Sequence, residues 1–329
     1  MSKTMIYADH AATTALSPKA REAMEPFLTA AYGNPSTLYS LAREPHKALT
    51  HSREIIASAI HADPSEVFFT SGGTESDNWA IKGTVFQHAP GKRIITSSIE
   101  HHAVLNTCAA LGRMGYSIST LPVSTEGIVS ESMLKAALTP DTALVSIMLA
   151  NNEIGTIEPV QTFAEIARRR NALFHTDAVQ AIGHIPVDVG KLQVDMLSAS
   201  AHKFNGPKGV GFLYIRKGVN LLPLLDGGGQ ERGMRAGTEN VAGIVGMATA
   251  LQEHIDHGSH GRNNTTPRQG AVHRRTMKRC CLSLTRLRGY ARDVPVTEPV
   301  IVSAPGRQRR DRARTLPVGT TAAPCPAVR

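Results

Sequence analysis

Short apolar segments alternate with helical segments from residue 67 to residue 215, and this alternation constrains the fold more than any other feature. The predicted strands are 67–70, 93–97, 116–121, 143–149, 173–177, 196–201 and 211–215. Helices are predicted between them, most clearly at 103–112, 130–138 and 162–170, and two more precede them, one from Pro18 to Gly33 and one over 43–60. Such alternation is typical of a mostly parallel sheet buried on both faces. We therefore predict an α/β fold with a mostly parallel seven-stranded sheet.

The net charge of +9 arises from the C-terminal end of the chain. Residues 258–329 hold 15 of the 36 Lys and Arg residues but 3 of the 27 Asp and Glu residues, which leaves 21 basic and 24 acidic residues in 1–257. A nucleic-acid-binding domain usually carries a basic patch or stripe. Residues 1–257 show no such excess, so we expect no nucleic-acid partner for the folded part of the chain.

Strong periodicity does not return after about residue 256. Residues 258–329 contain seven prolines, and 14 of their 15 basic residues are Arg. One interpretation is a disordered basic arm. The other, which we favour, is a segment translated out of frame, because such segments are typically rich in Arg and Pro and unpatterned. The predicted organisation is an N-terminal segment 1–15, a large domain 16–256, and an aberrant or disordered tail 257–329 in place of a small domain.

Several classes of protein are disfavoured. The chain has no run of about 18 apolar residues, so we expect no membrane span. Residues 1–10 lack the apolar core of a signal peptide. Four cysteines are too few for a disulfide scaffold in a chain of 329 residues, and Cys108, in a predicted helix, suits a small buried hydrophobic position. We expect a cytoplasmic protein with no membrane partner.

A lysine lies between two apolar segments, in the sequence Ser200-Ala-His-Lys-Phe-Asn-Gly-Pro-Lys-Gly209. A lysine held between buried strands can act as an amine nucleophile and form a Schiff base with an aldehyde cofactor such as pyridoxal phosphate. The alternative is a solvated turn residue. Lys203 is therefore a candidate catalytic residue that depends on the rest of the chain for support.

Two glycine-rich segments are candidate phosphate sites. Thr70-Ser-Gly-Gly-Thr-Glu75 follows a predicted strand and opens a helix, where backbone amides can bind an anion with help from Gly73 and Thr74. An ordinary strand-to-helix turn is the alternative. In the second segment, residues 227–238, Thr238 or the backbone amides can also hold a phosphate.

Polar residues also follow other predicted strands. Asp177 lies at the carboxyl end of a strand, where ligands bind in open α/β sheets. A carboxylate there can keep a pyridinium nitrogen protonated, and Gln180 can reach the ring hydroxyl; a helix cap is the alternative for Asp177. His101 can cover a planar cofactor or cap a helix. Because adjacent helical residues do not face each other and no third ligand has suitable spacing, we predict no metal site at His101 and His102.

Together these segments resemble the cysteine desulfurases of the NifS/IscS type, a branch of the class V aminotransferase family. The resemblance rests on Tyr7-Ala-Asp-His-Ala-Ala-Thr-Thr14, Tyr32-Gly-Asn-Pro-Ser36, Thr70-Ser-Gly-Gly-Thr-Glu-Ser-Asp-Asn78, Glu100-His-His-Ala-Val-Leu105, Asn151-Asn-Glu-Ile-Gly155, His175-Thr-Asp-Ala-Val-Gln180, Ser200-Ala-His-Lys203, Gly206-Pro-Lys-Gly209 and Arg235-Ala-Gly-Thr238. Ordered motifs over about 250 residues make a chance match very improbable.

The resemblance implies a pyridoxal-phosphate enzyme of fold type I that forms a homodimer and acts on L-cysteine. It implies that Lys203 carries the cofactor and that His101 stacks on the ring and moves protons. The other implied cofactor contacts are Asp177 at the ring nitrogen, Gln180 and Asn152 at the ring hydroxyl or substrate, Gly73, Thr74, Ser200 and His202 at the phosphate, and Thr238 from the neighbouring subunit. A protein thiolate would take the sulfur as a persulfide and pass it to an acceptor or an iron–sulfur scaffold protein.

The sequence departs from the family at the sulfur-accepting cysteine. In the family this cysteine lies on a loop with a sequence such as Ser-Ala-Cys-Ser, after the Arg-Ala-Gly-Thr motif. No such sequence occurs in this chain. Cys325 lies at about the expected distance from Lys203, but in the unrelated sequence Ala-Ala-Pro-Cys-Pro-Ala. The small C-terminal domain is likewise incomplete or absent.

Three functional hypotheses follow. The first is a cysteine desulfurase by descent that binds pyridoxal phosphate but is impaired in sulfur transfer. The second is a related lyase or aminotransferase that needs no protein cysteine. The third is a non-catalytic protein whose basic arm binds nucleic acid or another partner, which would show as salt-sensitive binding. We favour the first.

Overall fold

The computed structural model describes residues 6–260 and 300–301. Eight helices lie in the described part of the chain: α1 Pro18–Thr29, α2 Arg43–Ile60, α3 Gly73–Val85, α4 His102–Arg113, α5 Glu131–Ala137, α6 Val160–Arg168, α7 Val189–Leu192 and α8 Val241–His260. Its strands are β1 Ile6–Tyr7, β2 Val67–Thr70, β3 Arg93–Ser97, β4 Ser117–Leu121, β5 Thr142–Ser146, β6 Leu173–Asp177, β7 Met196–Ser200, β8 Gly211–Ile215 and β9 Val300–Ile301. The predicted tail begins inside α8, and most of it, with the fate of the small domain, lies outside the described residues.

The main sheet has seven strands in the order β2-β8-β7-β6-β5-β3-β4, and β1 pairs separately with β9. Strand β8 runs antiparallel to β2 and β7, whereas the other paired strands of this sheet are parallel. The connection from β7 to β8 spans only residues 201–210, which is too short for the crossover that a parallel pair needs. The predicted α/β fold with a mostly parallel seven-stranded sheet is confirmed.

Helices cover both faces of the sheet, so the central strands are buried along almost their whole length. Every residue of β5, β7 and β8 is buried. One face packs against α3 and α4 through Trp79, Ile81, Val104 and Leu111. The other packs against α1, α2, α6 and α8 through residues such as Ile56, Phe163 and Met247. This two-sided burial explains why the strands read as apolar runs without alternation.

Most predicted boundaries agree with the structure, and the differences lie at element ends. Helix α1 ends at Thr29 rather than near Gly33, and the Ala30 N–H bonds back to Pro26 O. Strand β5 ends at Ser146, although the Ile147 N–H still donates to His175 O at 3.2 Å. Among the described helices, none is both long and apolar enough to cross a membrane.

Candidate active site

Lys203 ends a short 3-10 turn, Ala201–Lys203, directly after β7. Its Nζ donates to Ala11 O at 2.6 Å and to Ala12 O at 2.9 Å. Partial burial lowers the pKa of the Lys203 ammonium, although the carboxylates of Asp177, Asp9 and Glu153 oppose that shift. Lys203 is therefore an enclosed amine that loses its proton more easily than a surface lysine does.

Residues 11–14 of the N-terminal segment lie against this lysine and its neighbour His202. Thr14 bonds His202 O through both its N–H and its hydroxyl, each at 2.9 Å. The Thr13 hydroxyl lies 3.0 Å from His202 Nδ1, and Gln180 Nε2 donates to Ala11 O at 2.9 Å. Lys203 and Gln180 thus share one carbonyl as a partner. Sequence reasoning did not assign these contacts, and the only signal for them was the motif at residues 7–14.

Asp177 ends β6 and is 4% exposed. Its Oδ1 accepts the Val179 N–H at 2.8 Å. Burial raises the pKa of Asp177, and the Val179 N–H, His101 and Lys203 oppose the rise. The structure therefore brings Asp177, His101 and Lys203 within electrostatic reach of each other at the carboxyl edge of the sheet. His101 itself caps α4, with Nδ1 accepting the Ala103 N–H at 3.1 Å, so the capping alternative also describes it.

The turn from β2 into α3 brings its backbone close to β7. Gly72 has φ of +144°, a value that favours glycine. A Cβ on Gly73 would lie 2.6 Å from Val179 Cγ2 and 3.5 Å from Ser200 Cβ. The first intrahelical bond of this end is from the Ser76 N–H to Gly72 O, so the amides of Gly73 and Thr74 precede the helical ladder and face the end of the helix. Gly73, Thr74 and Ser200 are thus grouped around one helix N-terminus.

The second glycine-rich loop is tied to this helix by an ion pair. Arg235 binds Glu75 with two bonds, from Nε to Oε1 at 2.9 Å and from Nη2 to Oε2 at 3.1 Å. Glu75 also accepts the Ser71 N–H at 2.9 Å. Thr238 lies three residues beyond Arg235 and is exposed. An exposed Thr238 can reach a neighbouring subunit, but its predicted role stays a prediction.

The two asparagines of the 151–155 motif differ in role. Asn151 is buried, and its side chain donates to Ile99 O at 2.7 Å and accepts the Glu153 N–H at 2.8 Å. Asn152 is half-buried, and its Nδ2 donates to Glu153 Oε1 at 2.8 Å. Asn151 therefore shapes the loop, whereas the side chain of Asn152 bonds only its neighbour Glu153 among the hydrogen bonds described here, and its contact with a ligand stays a prediction.

Several buried ionisable groups were missed by the sequence analysis. Burial raises the pKa of Glu100 to about 8 and of Glu158 to about 7, and it lowers the pKa of His175 to about 3. Asp77, on α3, is 1% exposed. Their signal in the sequence was a polar residue inside or next to an apolar segment. Within residues 6–260, no group of His, Cys, Asp and Glu side chains is arranged to hold a metal ion.

The one cysteine in the described part of the chain cannot serve as a nucleophile. Cys108 is 2% exposed, and burial with the nearby Glu100 raises the pKa of its thiol to about 12. The predicted role as a small buried hydrophobe fits this position. Cys280, Cys281 and Cys325 lie outside the described residues.

Residues 6–269 match the family Aminotransferase class-V. The chain is 57% identical over 251 residues to the cysteine desulfurase IscS of Dictyoglomus turgidum, a match that covers 76% of this chain and 64% of the relative. It is 55% identical over 248 residues to the cysteine desulfurase IscS of Methanosarcina thermophila, covering 75% of this chain and 61% of the relative. The chain thus spans less than two thirds of the length of these curated relatives.

Solved structures give the same result. A NifS-like protein superposes with a TM-score of 0.76 at 45% identity, over 78% of this chain and 71% of that protein. SspA, solved in complex with cysteine, superposes with a TM-score of 0.73 at 40% identity, over 76% of this chain and 72% of that protein. The chain therefore belongs to the class V aminotransferase family, and the relatives it is similar to include cysteine desulfurases of the IscS type and a NifS-like protein.

Proposed function

We propose that this chain carries the cofactor-binding domain of a pyridoxal-phosphate-dependent cysteine desulfurase, which converts L-cysteine to L-alanine and transfers the sulfur as a persulfide. The observation that carries the proposal is the grouping of an enclosed amine, Lys203, and a buried carboxyl, Asp177, at the carboxyl edge of the sheet beside the start of α3. Pyridoxal phosphate needs these three features: an amine, an acid for its ring nitrogen and an anion site.

The residues present fit the cofactor. Gly73 leaves no room for a side chain next to Val179 and Ser200, so the backbone itself forms the wall of the anion site. Arg235 balances the charge of Glu75 at the same helix end, which keeps the site favourable for a phosphate. The neighbouring Lys203 and His101 favour the ionised form of the buried Asp177, so a pyridinium nitrogen would be a suitable partner for it.

When bound, pyridoxal phosphate supplies an aldehyde that takes up an amine and a ring that accepts electrons. Lys203 offers the amine, and its lowered pKa increases the fraction that is neutral and nucleophilic. Asp177 can hold a proton at the ring nitrogen. His101 is exposed at the same edge and can take or give a proton. Gln180 and Asn152 are proposed to contact the ring hydroxyl or the substrate, and Ser200 and His202 the phosphate.

The sulfur step needs a thiolate. A thiolate attacks the sulfur of the substrate, the carbon–sulfur bond breaks, the carbon takes a proton to give alanine, and the sulfur remains as a persulfide. Cys108 is buried with a raised thiol pKa and is unsuited to this step. The other three cysteines lie outside the described residues, and their sequence does not match the family's cysteine loop. Slow sulfur transfer is therefore an expectation that rests on the sequence.

The remaining parts of the proposal concern the surroundings of the enzyme. We propose a cytoplasmic homodimer in which Thr238 reaches the phosphate of the neighbouring subunit, and a sulfur-acceptor or iron–sulfur scaffold protein as its partner. The exposed position of Thr238 supports the first of these, and the family supports the second.

The test begins with cofactor attachment. The purified chain is incubated with pyridoxal phosphate, reduced with borohydride, digested and examined by mass spectrometry. We expect the modification on the peptide that contains Lys203, with none on that peptide in Lys203→Ala. Alanine released from L-cysteine is then measured with and without a small thiol as sulfur acceptor. Labelling spread over surface lysines such as Lys19 and Lys208, with no alanine formed, would contradict the proposal.

A second candidate function is a related lyase that needs no protein thiol. The burial of Cys108 favours it, because such an enzyme releases its product without a persulfide. Cysteine sulfinate is the discriminating substrate, since its sulfur leaves without attack by a thiolate. Alanine formed from the sulfinate but not from L-cysteine would favour this candidate, and faster turnover of L-cysteine would exclude it.

A further inference from the structure

A row of buried polar side chains crosses the α3-facing side of the sheet. His175 on β6 lies 2.9 Å from Ser146 Oγ on β5 through Nδ1 and 2.9 Å from Ser198 Oγ on β7 through Nε2. Each of these three side chains is 0% exposed. Apolar side chains such as Leu144 and Met196 pack beside them. Burying polar groups in such a layer is unfavourable unless they are hydrogen-bonded, so this row is a specific feature of the sheet.

Asp177 belongs to the same face of the sheet. Strand residues two apart point to the same side, so His175 and Asp177 lie on one face of β6. Ser198 is the register partner of Asp177 on β7. The polar row therefore reaches the residue proposed to bind the ring nitrogen.

Asp77 approaches this row from α3. It is 1% exposed, and its Oδ1 lies 3.7 Å from His175 Nε2. This oxygen has no hydrogen-bond partner among the described residues. Asp77 lies one helical turn after Gly73, so the same helix that begins at the anion site places a carboxyl behind Asp177.

Two buried carboxyls that interact cannot both ionise easily. Burial, followed by the charge of Asp177, raises the pKa of Asp77 well above its usual range. Lys203 and His101 lie near Asp177 and favour its ionised form. His175 is neutral because burial lowers its pKa to about 3. Asp177 is thus the carboxyl that ionises, and Asp77 keeps its proton.

We propose that Asp77 is a positioning residue for Asp177: as a neutral carboxylic acid it supports the Ser198–His175–Ser146 row, which holds the Asp177 carboxylate towards the cofactor ring. This inference rests on the proposed function, because it assumes that Asp177 meets the ring nitrogen. It gives a reason for a carboxyl with an unpaired oxygen between α3 and the sheet. An apolar side chain there would pack without the cost of burying an unsatisfied polar atom.

The experiment compares Asp77→Leu, Asp77→Asn and Ser198→Ala with the unsubstituted full chain and with Asp177→Asn as a reference, each loaded with pyridoxal phosphate. Cofactor affinity is measured by equilibrium dialysis, and the absorbance spectrum of the bound cofactor is recorded at one pH. The Asp77 carboxyl has a side-chain hydrogen bond with Ser198. We expect Asp77→Leu, which removes this buried bond, to weaken binding by about tenfold. Its spectrum should shift in the same direction as that of Asp177→Asn. Asp77→Asn, which stays neutral and polar, should keep the cofactor affinity and the spectrum of the unsubstituted chain.

Thr84→Val is the matched control on the same helix. Thr84 is 1% exposed, and its hydroxyl donates to Ala80 O at 2.7 Å and lies 3.9 Å from Met196 Sδ, with no bond to Ser146, His175 or Ser198. It should lower the melting temperature without changing the spectrum. If Asp77→Leu does not fold, Ser198→Ala removes only one hydroxyl and should give a weaker shift in the same direction.

The outcomes distinguish a failure of the role of Asp77 from a failure of the proposed function. Unchanged affinity and spectrum in folded Asp77→Leu and Ser198→Ala would overturn the role of Asp77 alone. An Asp77→Asn variant as impaired as Asp77→Leu would also overturn it, because the neutral acid would not be the active form. Failure of the unsubstituted chain to bind pyridoxal phosphate, or an unshifted spectrum in Asp177→Asn, would overturn the proposed function together with this inference.

Discussion

Replacing Glu231 with alanine is expected to destabilise the protein strongly, because it breaks a buried ion pair that covers the edge of the sheet. The Glu231 carboxylate binds Arg53 Nη2 at 2.6 Å and Nη1 at 2.9 Å, and it accepts the Phe69 N–H at 2.8 Å. Arg53 also donates to Val67 O at 2.6 Å and stacks on the Phe69 ring. Both Val67 and Phe69 lie on β2, an edge strand, whose unpaired backbone groups are thereby satisfied.

The size of the effect follows from burial. Glu231 is 5% exposed, so the alanine variant leaves the Arg53 guanidinium and the Phe69 N–H without their buried partner. Removing one member of a buried ion pair costs about 3–5 kcal/mol. A folded unit of this size loses roughly 2–4 °C in melting temperature per kcal/mol. We therefore expect the melting temperature to fall by about 10 °C.

The assay is thermal unfolding followed by circular dichroism, with urea unfolding as a second measurement. Glu131→Ala is the control: Glu131 pairs with Lys135 at 3.0 Å on an exposed surface, where the loss should stay below about 0.5 kcal/mol. The double variant Arg53→Leu, Glu231→Leu should be more stable than Glu231→Ala, because it leaves no unpaired buried charge. A Glu231→Ala protein that melts as high as the unsubstituted chain would refute this reasoning.

Three further predictions concern the site and its surroundings. Gly73→Ala should weaken binding of pyridoxal phosphate by about tenfold (~1.4 kcal/mol), because the new Cβ would lie 2.6 Å from Val179 Cγ2; equilibrium dialysis measures this. Arg235→Leu should weaken binding to a similar degree, because it leaves the charge of Glu75 unbalanced beside the phosphate. Glu158→Gln tests a pH effect. Burial raises the pKa of Glu158 from 4.5 to about 7, so the folded state holds a proton that the unfolded state releases between these pH values. The unsubstituted protein should therefore lose stability relative to the variant from pH 4.5 to pH 7, by up to about 3 kcal/mol, and the difference should stay constant above pH 7.

Matched variants separate these effects from general damage. Gly112→Ala introduces a methyl group that meets only an ordinary contact, 3.4 Å from Ile118 Cγ1, and should leave cofactor binding unchanged. Arg216→Leu breaks the ion pair with Asp195, which joins the end of β8 to the start of β7, at the end of β7 away from Lys203. It should change stability without changing cofactor affinity. If the stability difference between Glu158→Gln and the unsubstituted chain does not vary between pH 4.5 and pH 7, the pH argument is wrong.

The amino-acid sequence alone determined the elements that carry the site. Strands β2, β3, β6 and β8 begin and end where the sequence predicts, because each is a short, largely buried segment rich in apolar residues. The same local pattern marked Lys203 and Asp177, since both lie at or just after the end of such a segment and belong to ordered motifs. The fold class and the family follow from these local patterns and from their order along the chain.

Only the tertiary structure decided which distant groups meet. The order of the strands places β8 between β2 and β7, which no periodicity encodes. The carbonyl of Ala11 bonds Lys203 although the two residues are 192 positions apart, and Arg53 and Glu231 are 178 positions apart. Asp77 looks in the sequence like any polar residue of an amphipathic helix, and its burial became evident only when α3 packed on β6. Periodicity reports which side of an element is buried, whereas the partner of a buried charge depends on which elements pack together.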